Sequence, residues 1–222
     1  SPAIKRFCPI VAETVETIGD AQVRSRGTVG GNLSHGDPAN DLPVAMLSLD
    51  AEFVVRGRNA QRTIKASKFY KDVFTTALRI GEILTEAKIP VPGSKSGGSF
   101  QKFERRVGDF AIVSAAVQLT LDDHDKCRYV GIGLGSVGTT PIKVKEAERL
   151  LAGERITKDL VERAGDKCRE ICNPSSDLSG SAEYKRDMVR VFVERALYTA
   201  LDRAAPRERL REPSKNDLHL ID

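Results

Sequence analysis

Residues 24–43 read RSRGTVGGNLSHGDPANDLP, a polar stretch set between two apolar patterns at helical spacing. Glycine carries no Cβ and tolerates positive φ, so a glycine-rich backbone can bring its N–H groups against a ligand. Gly30-Gly31 therefore predicts a loop that offers amides to the oxygens of a phosphate or polyol. Thr28, Asn32 and Ser34 add side-chain donors and acceptors, while Asp37 and Asp41 suit hydroxyls, which a pure phosphate site would not want. The alternative is an ordinary glycine turn capped by Asp37, with Pro38 at the first position of the next helix.

Composition narrows the partners. With 35 basic and 31 acidic residues the net charge of +4 is too balanced to argue for nucleic acid. No apolar run reaches the roughly 18 residues a membrane helix needs. Cys8, Cys127, Cys168 and Cys172 make no disulfide framework in a chain of 222 residues. Cys168 and Cys172 share a predicted helix face, but they lack the partners and spacing of a zinc or iron–sulfur site. They read as free thiols of a cytoplasmic protein, and no metal ligand set is assigned.

Ile10, Val11, Thr14, Val15 and Ile18 recur at helical spacing, with Gly19 as a stop. A second helix is expected over 38–49. Strands follow at 51–56, 62–64 and 83–89, the last closed by Pro90-Val91-Pro92. Residues 93–99 (GSKSGGS) read as a flexible loop and candidate boundary. Strands are expected at 99–104, 110–121 and 129–137, then helices at 143–151, 157–172 and 181–203. The last carries a wide apolar stripe including Val189, Phe192, Val193, Ala196 and Leu197, which is core patterning. This order is α+β. Gly133, Gly135 and Gly138 satisfy GxGxxG after a strand. Thr139-Thr140-Pro141 intervenes before any helix and no second parallel strand follows, so a nicotinamide fold is rejected.

The run 24–43 resembles the second FAD-contacting segment of the flavin subunits of molybdenum hydroxylases: the medium chains of carbon monoxide dehydrogenase and its relatives, and the central domain of xanthine dehydrogenase. Their pattern, R-x-R-G-T-x-G-G-N-x-x-x-x-D-P-x-x-D-L-P, is satisfied at every fixed position. Residues 177–186 (DLSGSAEYKR) resemble the stretch that opens the family's last helix, with Ser179 in place of the usual Arg. The resemblance implies that residues 1–97 are the second half of an FAD-binding domain. It makes 98–205 a C-terminal domain of a small antiparallel sheet with three helices, and 206–222 a charged tail.

It also implies a cofactor site. Gly27, Thr28, Gly30, Gly31 and Asn32 would lie near the diphosphate and ribityl region of FAD, with Ser34, Asp37 and Asp41 along the ribityl and ribose hydroxyls. Leu84 matches an apolar flavin contact, and Lys102 and Asp109 match positions near the isoalloxazine. The alternative for Lys102 and Asp109 is a surface pair beside Arg105 and Arg106. No residue here would touch substrate, so no catalytic residue is assigned. Molybdopterin and two [2Fe–2S] clusters are expected only on a large and a small partner subunit, with electrons passing through FAD to an external acceptor. The family's earlier subdomain, whose A-G-G-type loop grips the pyrophosphate, has no counterpart in residues 1–23. A separate polypeptide supplying it, or a flavin-free scaffold that has lost it, are the resulting expectations.

Overall fold

The computed structural model describes residues 1–205; the charged tail expected at 206–222 lies outside the described residues. Two short helices, α1 (Pro2–Phe7) and α2 (Pro9–Glu16), each open on a proline, whose fixed φ suits the first turn. Gly19 takes φ +48 and turns the chain into α3 (Ala21–Arg26), followed by α4 (Val29–His35) and α5 (Asp41–Ser48). Next come β1 (Glu52–Arg56), β2 (Gln61–Lys65), α6 (Ala66–Phe69), β3 (Tyr70–Asp72), β4 (Thr75–Thr76) and β5 (Ile83–Lys88). They form an antiparallel sheet of order β2-β1-β5 and a small β3-β4 hairpin. The second half holds β6 (Ser96–Phe103), β7 (Val113–Leu121), β8 (Cys127–Gly135) and β9 (Ile142–Lys143), antiparallel in that order. The helices α7 (Lys145–Leu151), α8 (Lys158–Ile171) and α9 (Ala182–Ala204) complete it.

The four-stranded sheet is covered on both faces. On one side Val117, Leu119, Ile132 and Leu134 pack with Val189, Val193 and Leu197 of α9. On the other, Phe100 and Ala116 join Ile10 of α2 with Val44 and Leu47 of α5. Alternate residues of β7 thus serve opposite cores, and the strand is buried almost throughout, as a doubly covered strand must be. Helix α5 lies between this sheet and the β1 layer, and every residue from Asp41 to Ser48 is buried.

That sandwich explains the glycines of β8. A Cβ at Gly131 would collide with the carbonyl oxygen of Ser48, and one at Gly133 with that of Val44. The GxG motif is where the backbone of α5 rests on the strand. After Gly135 comes Ser136 at φ +64, with no helix opening there. Two expectations need correction. Residues 96–99 are strand, not flexible loop: Gly97 admits the backbone of α9, since a Cβ there would strike the Ala200 carbonyl. The helix expected from Pro38 begins at Asp41, because Asp37 Oδ1 accepts from Ala39 N at 2.8 Å and Asn40 N closes on Asp37 O at 3.2 Å, making a turn first.

The 177–186 segment is structural. Ser181 caps α9 by accepting from Tyr184 N, and the buried Lys185 ammonium donates to Asp177 Oδ2 at 2.6 Å and Ser175 O at 3.0 Å. The four cysteines are buried free thiols, and Cys172 Sγ donates to the Cys168 carbonyl. Among the described residues no helix is long and apolar enough to cross a membrane.

Candidate functional site

The glycine run folds differently from the open loop its composition predicts. Asp20 caps α3 by accepting from Val23 N at 2.8 Å. Arg24 folds back and donates to the carbonyls of Ile18 and Gly19, both at 2.8 Å, locking the α2–α3 turn. Gly27 is extended, and Thr28 starts α4 with its Oγ1 accepting from Gly31 N at 3.0 Å. Gly30 and Gly31 are therefore helical, and it is Gly36 that takes positive φ, +74, at the helix end. Bare amides remain all the same: with Gly31 and Asn32 bonded to Thr28, those of Val29 and Gly30 have no acceptor among the described residues. Glycine at 31 permits the arrangement, since a Cβ there would stand 2.9 Å from Thr28 Oγ1.

Two adjoining cavities open beside this turn. One, of about 410 Å³, is lined by Arg26, Gly27, Thr28, Val29, Gly31 and Asn32 over the apolar floor of Val15, Ile18 and Leu42. The other, of about 310 Å³, reaches Asp41, Lys102, Asp109 and Phe110. Ile18, Val23, Asn32 and His35 belong to both, so the pair forms one elongated cleft. A larger groove of about 620 Å³ lies elsewhere, against α1, α2 and Arg203. Among its charges Lys5 pairs with Glu16 and Arg203 with Glu13, and none of the sequence-derived candidates lines it.

The far end of the cleft holds a buried charge cluster. Lys102 Nζ lies 3.0 Å from Asp41 Oδ2 and 3.1 Å from Glu104 Oε2, and donates to the Thr17 carbonyl at 3.0 Å. The Lys102 and Asp41 side chains are each 5% exposed and that of Glu104 18%. Lys102 is therefore no surface residue beside Arg105 and Arg106, whereas Asp109 is exposed at the rim of the cleft. Burial pushes the Asp41 carboxyl up to about 6; Lys102 opposes that shift and Glu104 adds to it. Two buried oxygens at the cleft, Asp41 Oδ1 and Asn32 Oδ1, have no hydrogen-bond partner. An oxygen left so is costly unless something bonds it. The hydroxyls of a polyol chain, able to donate and to accept, fit both.

The structure thus brings Gly27, Thr28, Gly31, Asn32, Asp41, Lys102 and Asp109 to one cleft. Gly30 and Leu84 sit behind it, a Cβ on Gly30 meeting Leu84 Cδ2 at 3.6 Å. Ser34 and Asp37 do not line it, and Asp37 serves the turn before α5. Sequence reasoning missed Arg26, His35, Asn40 and Glu104. Asn40 donates to the Asn32 carbonyl at 2.9 Å and stands 3.3 Å from His35 Nδ1, fixing the wall shared by both cavities. The R-x-R signal was available for Arg26, whereas nothing local marks Glu104.

Residues 1–92 match the family model of the FAD-binding domain in molybdopterin dehydrogenase, and residues 98–200 that of the CO dehydrogenase flavoprotein C-terminal domain. The chain is 39% identical over 196 residues to the carbon monoxide dehydrogenase medium chain of Afipia carboxidovorans, covering 88% of this chain and 68% of that one. It is 35% identical to the 6-hydroxypseudooxynicotine dehydrogenase complex subunit alpha of Paenarthrobacter nicotinovorans, over 93% of this chain and 70% of the relative. A solved carbon monoxide dehydrogenase from Hydrogenophaga pseudoflava superposes with a TM-score of 0.90 at 36% identity, over 92% of this chain and 71% of that chain.

Proposed function

The chain belongs to the FAD-binding medium subunits of the molybdenum hydroxylases, and from that premise we propose that it is the electron-transfer component of such an oxidoreductase. Electrons released at a molybdopterin centre on a large partner subunit would pass through the iron–sulfur clusters of a small partner to FAD held here, and on to an external acceptor. FAD when bound supplies the redox chemistry, and the chain supplies position and electrostatics. The four unpaired thiols favour the cytoplasm.

The observation that carries this reading is the single cleft joining the free amides at the start of α4 to the buried Asp41–Lys102 pair, with two unpartnered oxygens between hydroxyl-binding positions. The Val29 amide, Thr28 and the Arg26 guanidinium suit a diphosphate, for which a helix N-terminus and a forked cation are both favourable. Asn32 suits the ribityl hydroxyls. Asp41, Lys102 and Asp109 suit the polar edge of the ring, with Leu84 and Gly30 as the backing of α4. Relatives act in carbon monoxide and 6-hydroxypseudooxynicotine dehydrogenases, so substrate choice is assigned to another subunit.

The test is the visible flavin absorption of the assembled complex carrying Gly31→Val. The branched side chain crowds Thr28 Oγ1 and should displace the cap and the ligand. Loss of bound flavin with the partner subunits still attached is the expected result. Full flavin occupancy would place the site elsewhere.

A further inference from the structure

The cluster at the end of the cleft contains one cation and two carboxylates. Lys102 Nζ is within 3.1 Å of both Asp41 and Glu104, and none of the three side chains is more than 18% exposed. Two carboxylates sharing one ammonium in a buried place cannot both be fully compensated, and the usual outcome is that one of them keeps a proton. Asp41 Oδ1 and Glu104 Oε2 are both enclosed without a hydrogen-bond partner, so depth and position decide between them: Asp41 is the more deeply buried, and of the two it is Asp41 that lines the cleft.

We propose that Glu104 is a positioning residue: by holding Lys102 between two carboxylates it leaves a proton on Asp41, which Asp41 presents at Oδ1 to an acceptor oxygen or nitrogen in the cleft. Asp41 then enters the site as a hydrogen-bond donor, where its residue type alone reads as an acceptor. This deepens the FAD reading and rests on it for the identity of the acceptor, though the state of the carboxyl does not depend on any ligand.

The surroundings are consistent with it. From the C-cap of α2, Thr17 contributes its carbonyl to Lys102 and a hydroxyl 3.5 Å from Asp41 Oδ2, so neither satisfies Oδ1. From α4, Asn32 and His35 line the same cavity; His35 is bonded to Asn40, and Asn32 Oδ1 is itself without a donor. From β6 comes Lys102, from the residue just past its end Glu104, and from the turn that follows, Asp109 at the rim. Lys102 is the one cation among these groups, and its charge is divided. Burial raises the Asp41 carboxyl, with Glu104 adding to the shift.

The experiment is a carbon-detected NMR titration of the side-chain carboxyls in the chain without any ligand, the Asp41 signal being identified by its loss in Asp41→Asn. Expected is a midpoint well above the ordinary carboxylate range, falling by about one pH unit or more in Glu104→Gln, because Lys102 then serves Asp41 alone. A purely structural Glu104 would lower the melting temperature without moving that midpoint. An ordinary midpoint in the wild type, or one unmoved in Glu104→Gln, overturns the proposal. In the assembled complex, FAD affinity should weaken as pH rises through the Asp41 midpoint and stay flat in Asp41→Asn. A pH-independent wild-type affinity would overturn the donor role. Absence of any FAD binding would instead sink the cofactor reading, leaving the carboxyl titration to decide the charge cluster on its own.

Discussion

Lys102 of β6 and Asp41 of α5, far apart in sequence, meet at 3.0 Å with side chains only 5% exposed, and so tie the N-terminal layer to the four-stranded sheet at the floor of the cleft. The pair couples stability to pH. The folded Asp41 carboxyl is raised from 3.8 to about 6, so its contribution is present below the unfolded value and is lost as pH rises through the folded one. Asp41→Asn removes that dependence. The difference in unfolding free energy between wild type and variant should change by about 3 kcal/mol between pH 3 and pH 8, in favour of the variant at the higher pH. Urea denaturation at the two pH values checks it.

Arg24 and Arg26 stand two residues apart and do different work. Arg24 is spent on the Ile18 and Gly19 carbonyls, whereas Arg26 faces the first cavity with no carboxylate partner among the described residues. Arg24→Ala should lower the melting temperature. Arg26→Ala should leave it unchanged and weaken FAD about tenfold, the loss of one charge-assisted hydrogen bond. Paired thermal melts and FAD titrations separate the two.

Thr28 both caps α4 and lines the cleft. Thr28→Ala should cost about 1 kcal/mol of stability and reduce FAD affinity, while Thr28→Ser should restore most of both. Equal behaviour of the two variants would contradict the cap.

Gly133 is where α5 lies on β8. Gly133→Ala forces the helix off the strand and should destabilise the fold by roughly 2–3 kcal/mol, the scale of an overpacked core. A neutral effect in chemical denaturation would mean the helix does not sit there.

Much of this architecture was legible in the residues. The apolar stripe of α9 is a local periodicity and the β-branched and small residues of β7 are a local composition, and burial against neighbours reinforced both. What escaped reading depends on contacts distant in sequence. Gly30 and Gly31 are poor helix formers, yet Thr28 at the start and Gly36 at the end cap a short helix through them. Gly97 resembles a linker glycine until α9 is laid across it. Of the site, the residue types around 27–41 could be named from their pattern. Glu104 acquires its meaning only when the end of β6 sets it beside a carboxylate from α5.

The central claim is that FAD lies in the cleft between the start of α4 and the Asp41–Lys102 pair. Amide chemical-shift mapping on adding FAD tests it most directly, on the chain alone and joined to the segment that completes the length of its relatives. The largest shifts should fall at residues 27–32 and 102–110 in at least one of the two. Shifts confined to the groove of Lys5, Arg6 and Arg203, or none at 27–32 in either, would contradict it.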